Sequence, residues 1–462
     1  MSAHPDEPGM RHAALPPGAP AAARLAAAAR AVNAAMLSPA VIAKVKVCLR
    51  DLVGGACEAR DLPWAVQARA LAPAVRTGAS IIGHSRLAPA GDAAFANAVM
   101  GHGLVREDMH AGSISHLGIV VLPTLLALAQ RRRVSGSAFI AAALVGYEIG
   151  GQVGRAVMDA DVARIHRPTG VTGPLAGAAA GARLCDLDQS AFTSALALAA
   201  NSVLGFNQWA WTGGSEMFFQ AGLAARNAVT AVKLAESGAF GSPDALDGEA
   251  GLCAALGKPD AGARLRPFAG PPEILGVYHK AVPACNFAQT PALAAARLAG
   301  TGVVDPPRIR RIVVRVPLAG ARYPGCDSRG PFANVLQGKM SIQFCVAAAL
   351  LEGGISEASF ARLADPHLAR LIASTTLEID PALTAAYPAR QGAEVEITLD
   401  DGAVHRIRLD DVLHARDADV EHRFRRATAD VLGDARAAAL DDAISTLETQ
   451  TDVGAVARLL RV

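Results

Sequence analysis

Along most of the chain apolar residues recur at three- and four-residue spacing, the period of helices with one buried face. Residues 21–52 read as two helices broken at Ser38-Pro39, and residues 61–77 as another. Ser135 caps the clearest one, with Phe139, Ala143, Tyr147 and Gly150 at helical spacing behind it. Its glycines Gly146, Gly150 and Gly154 recur every fourth residue and predict a face that another helix backbone approaches closely. Glu148, Gln152 and Arg155 on the other side exclude the membrane-dimer version of that pattern. Thr172-Gly173-Pro174 predicts the start of an Ala/Gly helix reaching Leu184, with proline at the first helical position. Further helices are predicted over 189–204 and 220–238, followed by a short acidic turn within 243–256.

From Pro271 the pattern changes. Two-residue alternation appears in 312–316 and 375–379, and again as a hairpin of 395–399 with 404–409 around Asp400-Asp401-Gly402. Helices at 290–298, 338–351 and 356–363 separate these strands, which are too few for a doubly wound sheet. The expected fold is therefore mainly α with an α+β second domain over 272–417. Residues 418–462 are helical again and are placed to return to the first domain, residues 21–271. Residues 1–20, broken by proline and glycine, read as a disordered tail.

Composition narrows the function class. The chain has 462 residues, 52% of them hydrophobic but only 4% aromatic, so its cores are filled by Ala, Leu and Val. Forty-four Lys plus Arg against 42 Asp plus Glu leave a net charge of +2, which argues against a nucleic-acid partner. No apolar run reaches the about 20 residues that span a bilayer, and the opening segment lacks the apolar stretch of a signal peptide. A cytoplasmic location with no membrane partner is expected. The seven cysteines show no C-x-x-C pair and predict neither disulfides nor a zinc site. The glycines around Gly150-Gly151 lack dinucleotide spacing and a preceding strand, and no H-E-x-x-H, G-x-S-x-G or Walker sequence occurs.

Candidate chemistry concentrates in three stretches. Residues 97–123 interleave His102, His110 and His116 with Arg106, Glu107 and Asp108, and read as a loop held between two packed helices. The His spacings of eight and six match no compact zinc pattern, so acid–base chemistry is favoured over a metal. His166 and Arg167 lie near the expected helix start, whose free N–H groups suit an anion. Lys280 and Cys285 flank a proline-fixed turn where the second domain begins, a place suited to an interdomain cleft.

Several motifs together resemble the MmgE/PrpD family, over about residues 21–460. They are the histidine loop, V-S-G-x-x-F-I-A-A-A-L-V-G-Y-E, H-R-P-T-G-V-T-G, A-G-L-A-A-R-N-A-V, L-D-G-E-A-G-L, K-A-V-P-A-C-N-F-A-Q-T and K-M-S-I-Q-F. The resemblance implies a large all-helical domain built from both chain ends (21–271 and 418–462) and a smaller α+β lid domain (272–417). It also implies a homodimer, no organic cofactor or metal, and a small carboxylic acid substrate. His116 matches the histidine that exchanges a proton with the substrate carbon, His166 a second active-site histidine, Lys280 a lysine at the lid, and Asp108 one of the acids of a D-x-D-D run. Catalytic roles are expected for these four, and substrate contacts for His102, Arg106, His110, Arg167, Met217 and Cys285. The chain departs from the family pattern at Val105, which replaces an acid, and at Met217, which replaces a lysine. A substrate with fewer carboxylates than a tricarboxylic acid, or with an apolar group against Val105, Met217 and Phe218, is expected. The implied reaction is proton transfer beside a carboxylate, leading most directly to dehydration or hydration. Epimerisation, decarboxylation and a silent carboxylate-binding protein are the alternatives.

Overall fold

The structure, a computed structural model, describes residues 18–203 and 205–462. Most of the expected N-terminal tail, residues 1–17, lies outside the described residues. Two hydrophobic cores organise the rest. The first is built from the helices Ala21–Arg30, Pro39–Glu58, Ala90–His102, Gly118–Ala129, Gly136–Val157, Pro168–Leu184, Gln189–Ala200 and Glu216–Glu236. At its centre every residue of Gly118–Ala129 is buried, as a helix apolar on all sides requires. Phe424, Leu440 and Ile444, from the late helices Asp417–Leu432 and Asp434–Ser445, join this same core.

The glycine stripe behaves as its spacing predicts. A side chain at Gly146 or Gly150 would meet Ala180 or Ala176 of Pro168–Leu184 at 2.8 and 2.7 Å. The partner helix, however, starts at Pro168 rather than Pro174, with Arg167 as its N-terminal flank and Pro174 in its interior. Both prolines fit a helix start by sequence. Pro168 occupies the first turn, where the missing N–H costs nothing, and packing carries the helix through the second.

The second core lies against a four-stranded sheet in the order Thr375–Ile379, Ile309–Val316, Ala393–Leu399, Val404–Leu409. The first pair is parallel and the others antiparallel, the last joined by the expected hairpin. Ala393, Val395, Ile397 and Leu399 bury one face against the helices Gln289–Gly300 and Ile342–Glu352. On the other face Arg315 gathers Glu378, Glu394 and Glu396. The chain passes between cores at Val277 and Tyr278, the last member of the first core in that segment and the first of the second.

At this passage a short antiparallel ladder pairs Asp108–His110 with Val277–His279. It ties the histidine stretch to the start of the second core, so groups from both can meet. Among the described residues no helix is long and apolar enough to cross a membrane.

Replacing Gly150 by valine should cost about 1–3 kcal/mol of stability through overpacking against Ala176 and Leu117, despite the better helix propensity of the new residue. Urea unfolding measures this, and an unchanged midpoint would mean the two helices stand further apart.

Candidate active site

The helix Ala90–His102 ends in a loop that is held under strain at two points. Val105 (φ 58°) and Ile114 (φ 54°) are β-branched residues in the left-handed region. Such a conformation costs about 1–3 kcal/mol and persists only where its surroundings impose it. For Val105 the imposing groups are two buried lysines. Lys280 Nζ donates to Val105 O (2.6 Å) and Ala284 O (3.3 Å), while Lys339 Nζ donates to Leu104 O and Pro283 O, both at 3.0 Å. Two ammonium groups thus clamp consecutive carbonyls of the loop to consecutive carbonyls from the second core. Lys339 is neutralised by Glu357 at 2.6 Å; Lys280 makes no ion pair among the described residues.

Inside this clamp lies the buried carboxylate of Glu107. Its Oε1 accepts from His102 Nδ1 at 2.7 Å and stands 3.0 Å from His116 Nδ1. Its Oε2 is buried without a partner. Burial works against its charge, but His102, Lys280 and His116 outweigh burial and hold the carboxyl well below its usual range. The histidine tautomers follow from their neighbours. His116 Nδ1 also lies 2.9 Å from Asp108 O, so both neighbours of that nitrogen are acceptors and it carries the proton. Neutral His116 therefore keeps its lone pair on Nε2. Burial lowers its pKa to about 4 despite the opposing pull of Glu107. Its backbone N–H is fixed by Thr169 Oγ1 at 3.1 Å. His102 Nε2 accepts from Arg167 at 3.1 Å, which requires a neutral ring, and burial lowers its pKa too.

These groups border a small cavity, of about 20 Å³, whose apolar wall belongs to the second core. Of the residues expected from sequence, His116, Lys280, Arg167, Met217 and Cys285 line it, and so does Val105. Burial lowers the pKa of Lys280. Arg167 lies over the Trp209 ring at 5.8 Å and forms no ion pair among the described residues. Cys285 Sγ lies 3.6 Å from Cys326 Sγ, and the hydrogen bond from that thiol brings it down to about 7 against burial.

Five expected residues lie elsewhere. The ladder explains two of them, because side chains alternate along a strand and Met109 faces the cavity. Asp108 and His110 accordingly face away. The Asp108 carboxylate accepts from Tyr147 Oη (2.6 Å) and Gly118 N (3.2 Å), and burial pushes it up to about 6. His110 bonds Ser113 and Glu273, each at 2.8 Å. Arg106, next to Glu107, turns to an ion pair with Glu58. His102 sits behind the wall as the link between Glu107 and Arg167. His166 is half-buried outside the lining, its ring against Phe206 at 5.7 Å. Phe218 likewise stacks on Trp64 at 3.8 Å instead of facing the cavity. Among the described residues no cluster of three or more His, Cys, Asp or Glu is arranged to hold a metal.

The sequence reading passed over Glu107, Met109, Trp209, Asn286, Tyr323 and Met340. Glu107 carried a signal, as half of an acidic pair, but only the strand direction tells which acid turns inward. Asn286 and Met340 lie inside the quoted motifs; Tyr323 had no signal.

The model of the MmgE/PrpD N-terminal domain matches residues 23–263, and that of the MmgE/PrpD C-terminal domain residues 282–449. The chain is 23% identical over 450 residues to cis-aconitate decarboxylase of Aspergillus terreus, covering 91% of each chain. It is 30% identical over 217 residues to cis-aconitate decarboxylase-like protein oryM of Aspergillus oryzae (strain ATCC 42149 / RIB 40), covering 45% of each.

Two outcomes test this arrangement. Glu107→Gln leaves the Lys280 and Arg167 charges buried without their counter-charge and should cost about 3–5 kcal/mol in urea unfolding; a loss below 1 kcal/mol would remove Glu107 from its central place. His116 binds its proton near pH 4 when folded and near 6.5 when unfolded, so stability falls as pH drops through that window. Between pH 7 and pH 5 its share is roughly 2 kcal/mol. That share should vanish in His116→Gln, and an identical pH slope in both proteins would contradict the assignment.

Proposed function

The chain belongs to the MmgE/PrpD family, and we propose that it is a cofactor-independent lyase of the dehydratase/hydratase type, acting on a small hydroxycarboxylic acid by proton transfer beside the carboxylate. The observation that carries this reading is the His116 ring. Its Nδ1–H is fixed by Glu107 and Asp108 O, and Nε2 is left as the basic nitrogen on the wall of a cavity that also presents Lys280 and Arg167.

A proton on carbon beside a carboxylate is weakly acidic, and its removal builds negative charge on the carboxylate oxygens. Arg167, steadied by His102 and Trp209, and Lys280, steadied by two carbonyls, are the groups to hold those oxygens. His116 Nε2 takes the proton, the electron pair forms the double bond, and the β-hydroxyl leaves. The proton taken up by His116 passes to the departing oxygen, so that the hydroxyl leaves as water and the ring returns to its neutral state, while Lys280 stays charged. Asp108 acts on this reading through its carbonyl, which orients His116.

Decarboxylation, the activity in the names of the Aspergillus relatives, is the second reading. There a carboxyl group departs as carbon dioxide and protonated His116 delivers the proton to carbon. Exposed Ile165, Phe206 and Trp211, adjacent in chain or fold to the Arg167 segment, support the homodimer that the family resemblance implies.

His116→Gln keeps a hydrogen-bonding side chain without a titratable base. Turnover should fall about 10²–10⁴-fold with little change in KM or melting temperature. Solvent deuterium incorporated at the α-carbon by the wild type should be lost in the variant. Full activity in the folded fraction of a destabilised variant would make His116 structural.

A further inference from the structure

A second, larger cavity, of about 310 Å³, adjoins the first, and Ile114, Phe287 and Tyr323 belong to the walls of both. Its remaining wall comes from both sides of the molecule. Residues 158–160 and Ala163 contribute from the helical side, and residues 317–319 with Thr384, Tyr387 and Pro388 from the sheet side. Its volume is in the range of small-molecule sites.

The chemistry of this outer chamber differs from that of the inner one. Among the described residues no Lys, Arg or His lines it. Its one carboxylate, Asp159, caps the helix Ala160–Ile165 by accepting from Asp161 N and Val162 N, and is paired with Lys258. Thr384 Oγ1 is equally occupied, donating to Asp380 O (2.8 Å) and accepting from Leu318 N (3.0 Å). Apart from the hydroxyls of Tyr323 and Tyr387, what remains to meet a ligand is apolar: Ile114, Met158, Leu318, Phe287 and the tyrosine rings.

Charge limits what the inner cavity can hold. Lys280 and Arg167 bring two positive charges and Glu107 returns one negative charge; hydrogen bonding sets His102 neutral, and Cys285, brought down to about 7, can only reduce the charge that remains. One carboxylate balances the remaining charge. A second would be buried without a partner, and the outer chamber offers none. Val105, Met109, Met217 and Met340 make much of the inner wall apolar, and the Asn286 amide that also lines it is held by Tyr278 and Gln391.

We propose that the substrate carries a single carboxylate at its reacting end and an apolar alkyl or aryl substituent, and that the outer chamber is the binding site for that substituent. The carboxylate lies at Lys280 and Arg167, and the tail passes Ile114, Phe287 and Tyr323. This rests on the reading of the inner cavity as the reaction site and adds the substrate class to it.

The test is calorimetric titration of the intact protein with 3-hydroxybutyrate, 3-hydroxyhexanoate, 3-hydroxyoctanoate and citrate. Each buried methylene should raise affinity about fourfold until the chamber is filled, and citrate should bind more weakly than 3-hydroxyoctanoate. Ala160→Trp fills the chamber from an exposed position, and Leu318→Asp places a charge in it; each should bring the octanoate-to-butyrate affinity ratio towards one. Equal affinity along the series, a slope that both variants leave intact, or a preference for citrate would overturn the proposal. Deuterium incorporation, followed in parallel, separates this from the reaction itself. Chain-length-dependent binding without exchange at carbon supports the chamber and removes the lyase reading, whereas exchange into citrate but not into the long acids removes the chamber.

Discussion

A carboxylate buried between two protein cores must be satisfied by charge and hydrogen bonds, and the centre of this molecule is arranged around that requirement at Glu107. Two imidazole N–H groups meet one of its oxygens, and Lys280 supplies balancing charge. Each solution fixes something else. By receiving the His102 proton, Glu107 leaves the far nitrogen of that ring to accept from Arg167. By sharing the His116 proton with Asp108 O, it leaves Nε2 as the unprotonated nitrogen of a ring that lines the cavity. Its own second oxygen stays without a protein partner. On the proposed reading the neutral base and the uncompensated positive charge receive an anionic ligand carrying a removable proton, and the unfulfilled oxygen takes a hydrogen-bond donor.

The two cores contribute to this centre in different ways. The helical core supplies the histidines, Glu107 and Arg167, and holds them by close helix packing at Gly146 and Gly150 and by the Thr169 hydroxyl. The second core supplies the lysines. Because Lys280 and Lys339 bind backbone carbonyls from both sides, the strained Val105 conformation, the entry of the cationic groups and the closeness of the two cores depend on one set of contacts.

Much of this was legible in the sequence, for identifiable reasons. The 3.6-residue period and the glycine stripe specify helix faces, and the alternation after residue 309 specifies strands, because both are properties of local chain geometry. The cluster at 97–123 stood out because buried titratable residues are costly and seldom gathered without use. What could not be read was direction. Treated as a loop, the stretch let Arg106, Glu107, Asp108 and His110 all converge. Paired as a strand with Val277–His279, a partner about 170 residues away, it sends Met109 to the cavity and Asp108 and His110 to the opposite side. The place of Glu107 and the outward position of His166 follow from such long-range pairing, as does Tyr323 on the shared wall. Pro168 and Pro174 were locally equivalent helix starts, and only burial of the first two turns decides between them.

The central claim is that His116 rests as a neutral ring protonated on Nδ1, with Nε2 free to take a proton. Long-range ¹H–¹⁵N correlation spectra of protein labelled at histidine, with His116 identified by its absence from His116→Gln, report that state directly. An Nε2 signal typical of an unprotonated imidazole nitrogen at pH 7, titrating only near pH 4, is the predicted result. A ring protonated on Nε2 at pH 7, or one titrating at the ordinary histidine pKa, would contradict the account.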